Sequence, residues 1–159
     1  MSNITVFLDN IAMSRDRPAL IAPSEGLELT YGEILSRISR TALVLTDQGV
    51  GKGDRVCIYL DSCPEHLISY FAIWRIGAVA VPANISLKED EIGYVIRDSG
   101  ARILIHDNSG ASVAMGALTR GDLACRGLNL DQLSASILDT GIYPPVNCSF
   151  DDLCQIQYT

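Results

Sequence analysis

The sequence predicts an α/β fold in which helices flank a parallel sheet. Between residues 54 and 105, apolar segments with strand-like and helix-like spacing alternate in the order strand, helix, strand, helix, strand. The strand segments are almost continuously apolar, which is typical of strands covered on both faces. Short connections between such segments indicate parallel strands joined by right-handed crossovers.

The segment from Trp74 to Asn84 joins a helix to a strand at the centre of this pattern. Gly77 can adopt the left-handed backbone that closes a helix. Val79 and a second valine two residues later favour a pleated strand. Pro82 ends that strand because proline has no N–H to donate. We therefore predict a helix up to residue 76 and a strand over residues 78–81.

The segments before this core predict a short helix, a hairpin and a long helix. Apolar residues at helical spacing, among them Phe7 and Ile11, predict an amphipathic helix within residues 3–14. Residues 19–22 and 27–30 resemble a small hairpin. Thr30 and Glu33 have the spacing of a capping box, so a helix is expected over residues 31–48.

The turn over residues 49–54 contains three glycines, a lysine and an aspartate, which is the composition of a phosphate loop. A phosphate loop follows a strand and opens a helix, so that its N–H groups face the anion. This turn follows a helix and precedes a strand over residues 55–60. We therefore interpret it as a simple turn.

The next two helices are predicted over residues 64–76 and 91–98, followed by a strand over residues 102–105. The apolar side of the first is expected to contain Leu67, Ile68, Phe71, Ala72 and Ile76. Beyond residue 106 the pattern weakens. It allows a helix over residues 111–118, a strand within residues 123–130, a helical turn from residue 131 to 138 and a last strand over residues 153–158.

Length, charge and cysteine content restrict the class of protein. The 159 residues suit one domain. The net charge of −7 disfavours binding to nucleic acid or anionic lipid. No apolar run reaches the ~20 residues of a membrane helix, and no signal peptide is apparent. Five cysteines without metal or redox spacing indicate reduced thiols, so a cytoplasmic location is expected.

Few side chains have the arrangement of a self-contained active site. Neither His66 nor His106 lies in a nucleophile signature. The acidic run at residues 89–91 suits a helix start, and no cluster has metal-ligand spacing. Thr159 is the exception, because it follows a strand and ligands bind at the carboxyl ends of parallel strands. A plain strand terminus is the alternative for Thr159.

Four segments together resemble the acyl-adenylate-forming ligases, which include acyl-CoA synthetases, peptide-synthetase adenylation domains and luciferases. They are LTYGEIL at residues 29–35, GKGDRV at 51–56, WRIGAVAVPAN at 74–84 and EIGYVIRDSGA at 91–101. Each is weak alone, but their order across residues 29–105 is specific. The resemblance implies an N-terminal portion of that fold over residues 1–159, incomplete relative to the family.

The resemblance also implies a two-step chemistry for the complete enzymes. A carboxylate attacks the α-phosphorus of ATP, with Mg²⁺ screening the phosphates, and the acyl group of the adenylate then passes to CoA or to a carrier-protein thiol. In relatives, a strand similar to the one ending here leads into a Thr/Ser/Gly-rich phosphate loop, whose first residue Thr159 matches. Thr159 is therefore expected to contact an ATP phosphate in a complete protein.

The phosphate loop, the acyl pocket and the adenylation lysine have no counterpart in these residues, which are therefore expected to be truncated before the loop. No catalytic residue and no metal ligand is assigned, and the chain alone is expected to be inactive and to bind neither ATP nor Mg²⁺ tightly. The alternative is a non-catalytic interaction or dimerisation module. An unpaired sheet edge predicts association, including a homodimer. A dinucleotide-binding fold is disfavoured, because the turns over residues 60–64 and 82–90 contain no glycine.

Overall fold

Four parallel strands form the central sheet in the computed structural model, which describes residues 3–11, 14–120, 124–134 and 141–159. In chain order the elements are α1 (Val6–Ile11), β1 (Pro18–Ala22), a 3₁₀ turn (Pro23–Glu25), β2 (Leu27–Thr30), α2 (Tyr31–Asp47), β3 (Arg55–Tyr59), α3 (Pro64–Arg75), β4 (Val79–Pro82), α4 (Glu89–Ser99), β5 (Ala101–His106), α5 (Ala111–Arg120), β6 (Arg126–Asn129) and α6 (Leu130–Ser134). The sheet order is β4-β3-β5-β6, and β1 and β2 form a separate antiparallel hairpin. The predicted α/β fold is confirmed.

The sheet is buried on both faces, as its apolar strands predicted. Val56 and Ile58 of β3 lie in a cluster with the apolar residues of α2 and α3. Cys57 of the same strand and Leu104 of β5 lie in a second cluster with residues of α4 and α5. Successive side chains of a strand point to opposite faces, so one strand contributes to both clusters.

Local signals place the boundaries of α2 and α3 as expected. The Thr30 hydroxyl accepts a hydrogen bond from the Glu33 N–H at 3.3 Å, and the Glu33 carboxylate accepts one from the Thr30 N–H at 2.8 Å. The capping box therefore forms in both directions. Gly77 follows α3 with φ 71°, the left-handed conformation predicted for the helix end.

The starts of α4 and α6 differ from the predictions. Helix α4 begins at Glu89, two residues early, because the Glu91 carboxylate accepts from the Lys88 N–H at 2.8 Å and extends the first turn. Helix α6 begins at Leu130, and the Asp131 N–H donates to the Asn129 side chain at 2.9 Å. The Asn129 side chain thus caps this helix, which begins one residue before the predicted start at residue 131. Residues 135–138 of that predicted turn lie outside the described residues.

The predicted apolar sides of α1 and α3 were partly wrong. In α1, Phe7 and Ile11 are each 45% exposed, whereas Leu8 is buried. In α3, Leu67 is 42% exposed and Phe71 is only partly buried, whereas Ser69 and Ile73 are buried. Packing against the sheet and α2 has rotated the buried side of α3 by about one residue relative to the sequence pattern.

Arg75, the last residue of α3, is fully buried and connects three segments that are distant in sequence. Its Nη2 donates to Asp9 Oδ1 at 2.8 Å, and its Nε donates to the carbonyl of Tyr143. Its own carbonyl accepts from the Val146 N–H at 2.8 Å. The side chain and the backbone carbonyl of Arg75 therefore help to hold the N-terminal segment and the 141–148 loop against the end of α3.

Candidate functional site

A cavity of about 630 Å³ opens at the carboxyl end of β4. Its walls come from the end of the strand, the loop after it, the first turns of α4 and the end of the chain. The lining residues are Pro82, Ala83, Asn84, Leu87, Asp90, Glu91, Tyr94, Val95, Gln157, Tyr158 and Thr159. The carboxyl edge of a parallel sheet is where ligands of such folds bind, so this cavity is the candidate site.

The end of the chain reaches this cavity by running alongside β4. The Ala80 N–H donates to the Cys154 carbonyl and the Ile156 N–H donates to the Ala80 carbonyl, both at 2.9 Å. The indole of Trp74 also donates to the Cys154 carbonyl, at 2.8 Å. These bonds form one parallel bridge, Ala80 with Gln155, instead of the strand predicted over residues 153–158.

Thr159 thus lies where the direction of the last segment predicted, at the carboxyl edge of the sheet and on the cavity wall. Thr159 itself is exposed. Its contact with an ATP phosphate stays a prediction. At the alternate positions of the last segment, Ile156 and Tyr158 pack partly against the α4 side of the core, whereas Cys154 is exposed.

Tyr158 holds the residue before Thr159 against α4. Its hydroxyl donates to Asp98 Oδ2 at 2.7 Å, and its ring meets that of Tyr94 edge-on with centroids 6.3 Å apart. Burial, with the Asp98 carboxylate beside it, raises the pKa of Tyr158 to about 12. Both effects favour the neutral phenol. Sequence reasoning missed this contact, because the two residues are 60 positions apart and no local pattern links them.

The charges around the cavity are acidic. Asp90 and Glu91 supply carboxylates to its lining, and no lysine or arginine is among the described residues that line it. The Glu91 carboxylate accepts from the Lys88 N–H, as expected for an acid at a helix start. The Asn84 side-chain oxygen accepts from the N–H and hydroxyl of Ser86, at 2.9 and 2.8 Å. The donors available to a phosphate here are hydroxyl and amide groups, so these residues fit only part of a nucleotide triphosphate.

The crevice between β3 and β5, where the strand order reverses, is filled. The hydroxyl of Tyr59, the last residue of β3, donates to the carbonyls of Ile85 and Leu87 at 3.0 and 2.9 Å. The ring lies so close to Gly110 that a Cβ there would come within 2.9 Å of it. A dinucleotide-binding fold uses this crevice for its ligand. The filled crevice agrees with the sequence argument against that class.

The two histidines lie away from this cavity, on other strands and helices. His66 stacks on Tyr70 with ring centroids 5.4 Å apart, and its Nδ1 lies 3.2 Å from the Asp61 carbonyl. His106 is buried, with its Nδ1 2.9 Å from the carbonyl of the next residue. No cluster of three metal-ligating side chains occurs in the described ranges. Within those same ranges, no helix is both long and apolar enough to cross a lipid bilayer.

Sequence comparison connects this geometry with named proteins. The chain is 39% identical over 92 residues to a 3-hydroxybenzoate–CoA ligase of Aromatoleum, covering 58% of this chain and 17% of that protein. It is 30% identical over 145 residues to the long-chain-fatty-acid–CoA ligase FadD13 of Mycobacterium tuberculosis, covering 89% of this chain and 29% of that protein. The chain therefore spans less than a third of the length of these relatives.

Structural comparison gives the same result. The N-terminal domain of FACL13 from Mycobacterium tuberculosis superposes with a TM-score of 0.91 at 30% identity, over 100% of this chain and 42% of that one. The AMP-binding enzyme family matches residues 7–159, which include the cavity and Thr159. On this match the chain belongs to the AMP-binding enzyme family and corresponds to the N-terminal part of its acyl-CoA ligases.

Proposed function

We propose that this chain is the N-terminal portion of an ATP-dependent acyl-CoA synthetase-like ligase. In the complete protein a carboxylate would be activated as acyl-AMP and transferred to the thiol of CoA or of a carrier protein. The observation that carries the proposal is the cavity at the carboxyl end of β4, in a chain whose family match includes that cavity. We assign no particular carboxylic acid as the substrate, because the two named relatives differ in theirs: one is a long-chain-fatty-acid–CoA ligase and the other a 3-hydroxybenzoate–CoA ligase.

Each lining group has a limited role in this proposal. The Thr159 hydroxyl donates to an ATP phosphate, and the Tyr158–Asp98 bond fixes the backbone that precedes it. The segment from Pro82 to Asn84 forms one wall. ATP supplies the adenylyl group and Mg²⁺ screens its phosphates when both are bound. We assign no Mg²⁺ ligand here, because Glu91 is engaged in capping α4.

The experiment is ATP–pyrophosphate exchange, measured with a panel of carboxylic acids. We expect exchange with at least one acid from the complete gene product and none from the 159-residue chain alone. The reason is that the described residues of the cavity include no basic group to meet the phosphate charge. Exchange by the isolated chain would show that these residues are sufficient. Absence of exchange from the complete gene product with every acid would overturn the proposed activity.

A non-catalytic interaction module is the second candidate, and exposed apolar side chains favour it. Phe150 is fully exposed, and Leu153, Ile4 and Phe7 are each about half exposed. All four line a cavity of about 520 Å³ beside α1, and grouped apolar exposure marks interaction surfaces. This candidate predicts a homodimer, which light scattering across a concentration series detects. The substitution Phe150→Ser should then weaken the dimer. A monomer at every concentration would exclude the homodimer.

A further inference from the structure

A second, smaller polar cavity lies between α2, α3 and α6, on the opposite side of the sheet from α4 and the candidate site. Its volume is about 190 Å³. It is lined by Arg37, Arg40, Thr41, Glu65, Ile68, Ser69, Leu130 and Leu133. Thr41 and Ser69 are buried, so their hydroxyls belong to an interior wall and not to the open surface.

The cations of this cavity are incompletely neutralised. Arg37 Nη1 forms an ion pair with Glu65 Oε1 at 3.0 Å. Arg40 Nε is buried and meets no hydrogen-bond acceptor among the described residues. The described residues of the lining therefore include two guanidinium groups and one carboxylate, which is paired with Arg37. Leaving a buried donor without a partner is unfavourable, so an acceptor that enters the cavity gains a hydrogen bond in addition to its attraction to the excess positive charge.

We propose that this cavity binds a small tetrahedral oxyanion, namely inorganic phosphate or pyrophosphate. Guanidinium groups present planar, forked donors that match phosphate oxygens, and such charge-assisted bonds are roughly twice as strong as neutral ones. The hydroxyls of Thr41 and Ser69 are further donors for an oxyanion. The volume exceeds the roughly 30 Å³ share of one water molecule. It is below the roughly 300–1,000 Å³ of pockets for drug-sized ligands, which excludes a whole nucleotide.

Isothermal titration calorimetry of the 159-residue chain tests this proposal with three ligands: phosphate, pyrophosphate and AMP, each against sodium chloride of matched ionic strength. We expect saturable binding of phosphate or pyrophosphate with a Kd on the order of 1 mM or tighter, and none of AMP. Arg40→Met should raise that Kd at least tenfold. Arg120→Gln is the control, because Arg120 is 68% exposed and its partners, Glu89 and Asp90, are on α4. The Kd of this variant for phosphate or pyrophosphate should stay within twofold of that of the unaltered chain.

A readout without substitution covers the case in which Arg40→Met fails to fold. The Nε–H resonance of Arg40 in the unaltered chain should shift on addition of phosphate and not of chloride. The proposal is overturned by the absence of saturable phosphate and pyrophosphate binding, by binding that Arg40→Met leaves unchanged, or by AMP binding as tightly as phosphate. The first result would mean that water alone fills the cavity.

Discussion

Substitutions at Arg75 and Asp9 test how the N-terminal segment is held to the sheet. The Arg75 side chain has no exposed surface, whereas that of Asp9 is 30% exposed. Removing one partner of a buried ion pair costs about 3–5 kcal/mol, because it leaves a charge buried without compensation. In Asp9→Ala the uncompensated group is the buried guanidinium. We expect Asp9→Ala to lower the free energy of unfolding by about 3 kcal/mol, the low end of that range, because the exposed part of Asp9 leaves the native pair partly hydrated.

The reverse substitution, Arg75→Met, acts through different groups. Asp9 can then hydrate, but the Tyr143 carbonyl loses its donor, and an unsatisfied buried acceptor costs about 1–3 kcal/mol. The double variant removes both charges and should cost little more than Arg75→Met alone. The cycle then gives a coupling free energy of nearly the whole cost of Asp9→Ala, about 3 kcal/mol, at the upper end of the 0.5–3 kcal/mol usual for residues in contact.

Urea denaturation at pH 7, followed by circular dichroism, measures the four free energies of unfolding. The matched control is the cycle of Arg120→Met with Glu89→Ala, a pair joined at 3.1 Å with Arg120 68% exposed. Exposed pairs contribute about 0–1 kcal/mol, so its coupling should be much smaller. Additive free energies for the Arg75 cycle, or equal couplings in both cycles, would refute the role assigned to Arg75.

Three further predictions concern single residues. Gly77→Ala should lower the free energy of unfolding by about 1–2 kcal/mol, since φ there is 71° and the new Cβ would lie 3.2 Å from the Lys52 side chain; urea denaturation measures it. Tyr158 should ionise near pH 12 in absorbance titrations. Because this folded-state pKa exceeds the ordinary value of 10, the contribution of Tyr158 to the free energy of unfolding is present below about pH 10 and is lost as the pH rises through 12. A thiol reagent should modify exposed Cys154 rapidly and leave Cys57 unmodified until unfolding, since burial raises the pKa of the Cys57 thiol.

Each of these has a contrary outcome. An unchanged midpoint of urea denaturation for Gly77→Ala would mean that the end of α3 tolerates a side chain at positive φ. A titration of Tyr158→Phe that retains the step near pH 12 would assign that step to another tyrosine. Modification of Cys57 at the rate of Cys154 in native conditions would mean that the second core cluster opens readily.

The parts of the fold that sequence predicted are those fixed by neighbouring residues. The Thr30–Glu33 capping box needs only a spacing of three, and it forms with both hydrogen bonds. Gly77 and Gly100 end their helices with left-handed backbone, which glycine adopts without strain. The polarity of the 49–54 turn, between a helix and a strand, was enough to reject a phosphate loop. The location of Thr159 followed from the direction of the last segment.

The parts that sequence did not predict depend on residues far apart in the chain. The buried side of α3 was misjudged at Leu67, because the side chains that this helix buries depend on how it packs against α2 and the sheet. The last segment forms one bridge to β4, which no periodicity specifies. The Tyr158–Asp98 bond and the cavity at Arg40 depend on helices that come together only in the folded chain. The position of Thr159 at the carboxyl edge of the sheet could thus be predicted from sequence, but the set of residues that line the cavity beside it could not.

ATP–pyrophosphate exchange by Thr159→Val tests most directly whether the cavity at the end of β4 belongs to an adenylation site. The variant would be made in the complete gene product and compared with Thr119→Val, a control in α5 whose exposed hydroxyl donates to the Met115 carbonyl. A hydrogen bond to a charged group contributes about 1.5–3 kcal/mol, so the apparent KM for ATP should rise at least about tenfold in Thr159→Val and stay unchanged in Thr119→Val. Equal exchange kinetics in both variants and the unaltered protein would contradict the proposed role of Thr159.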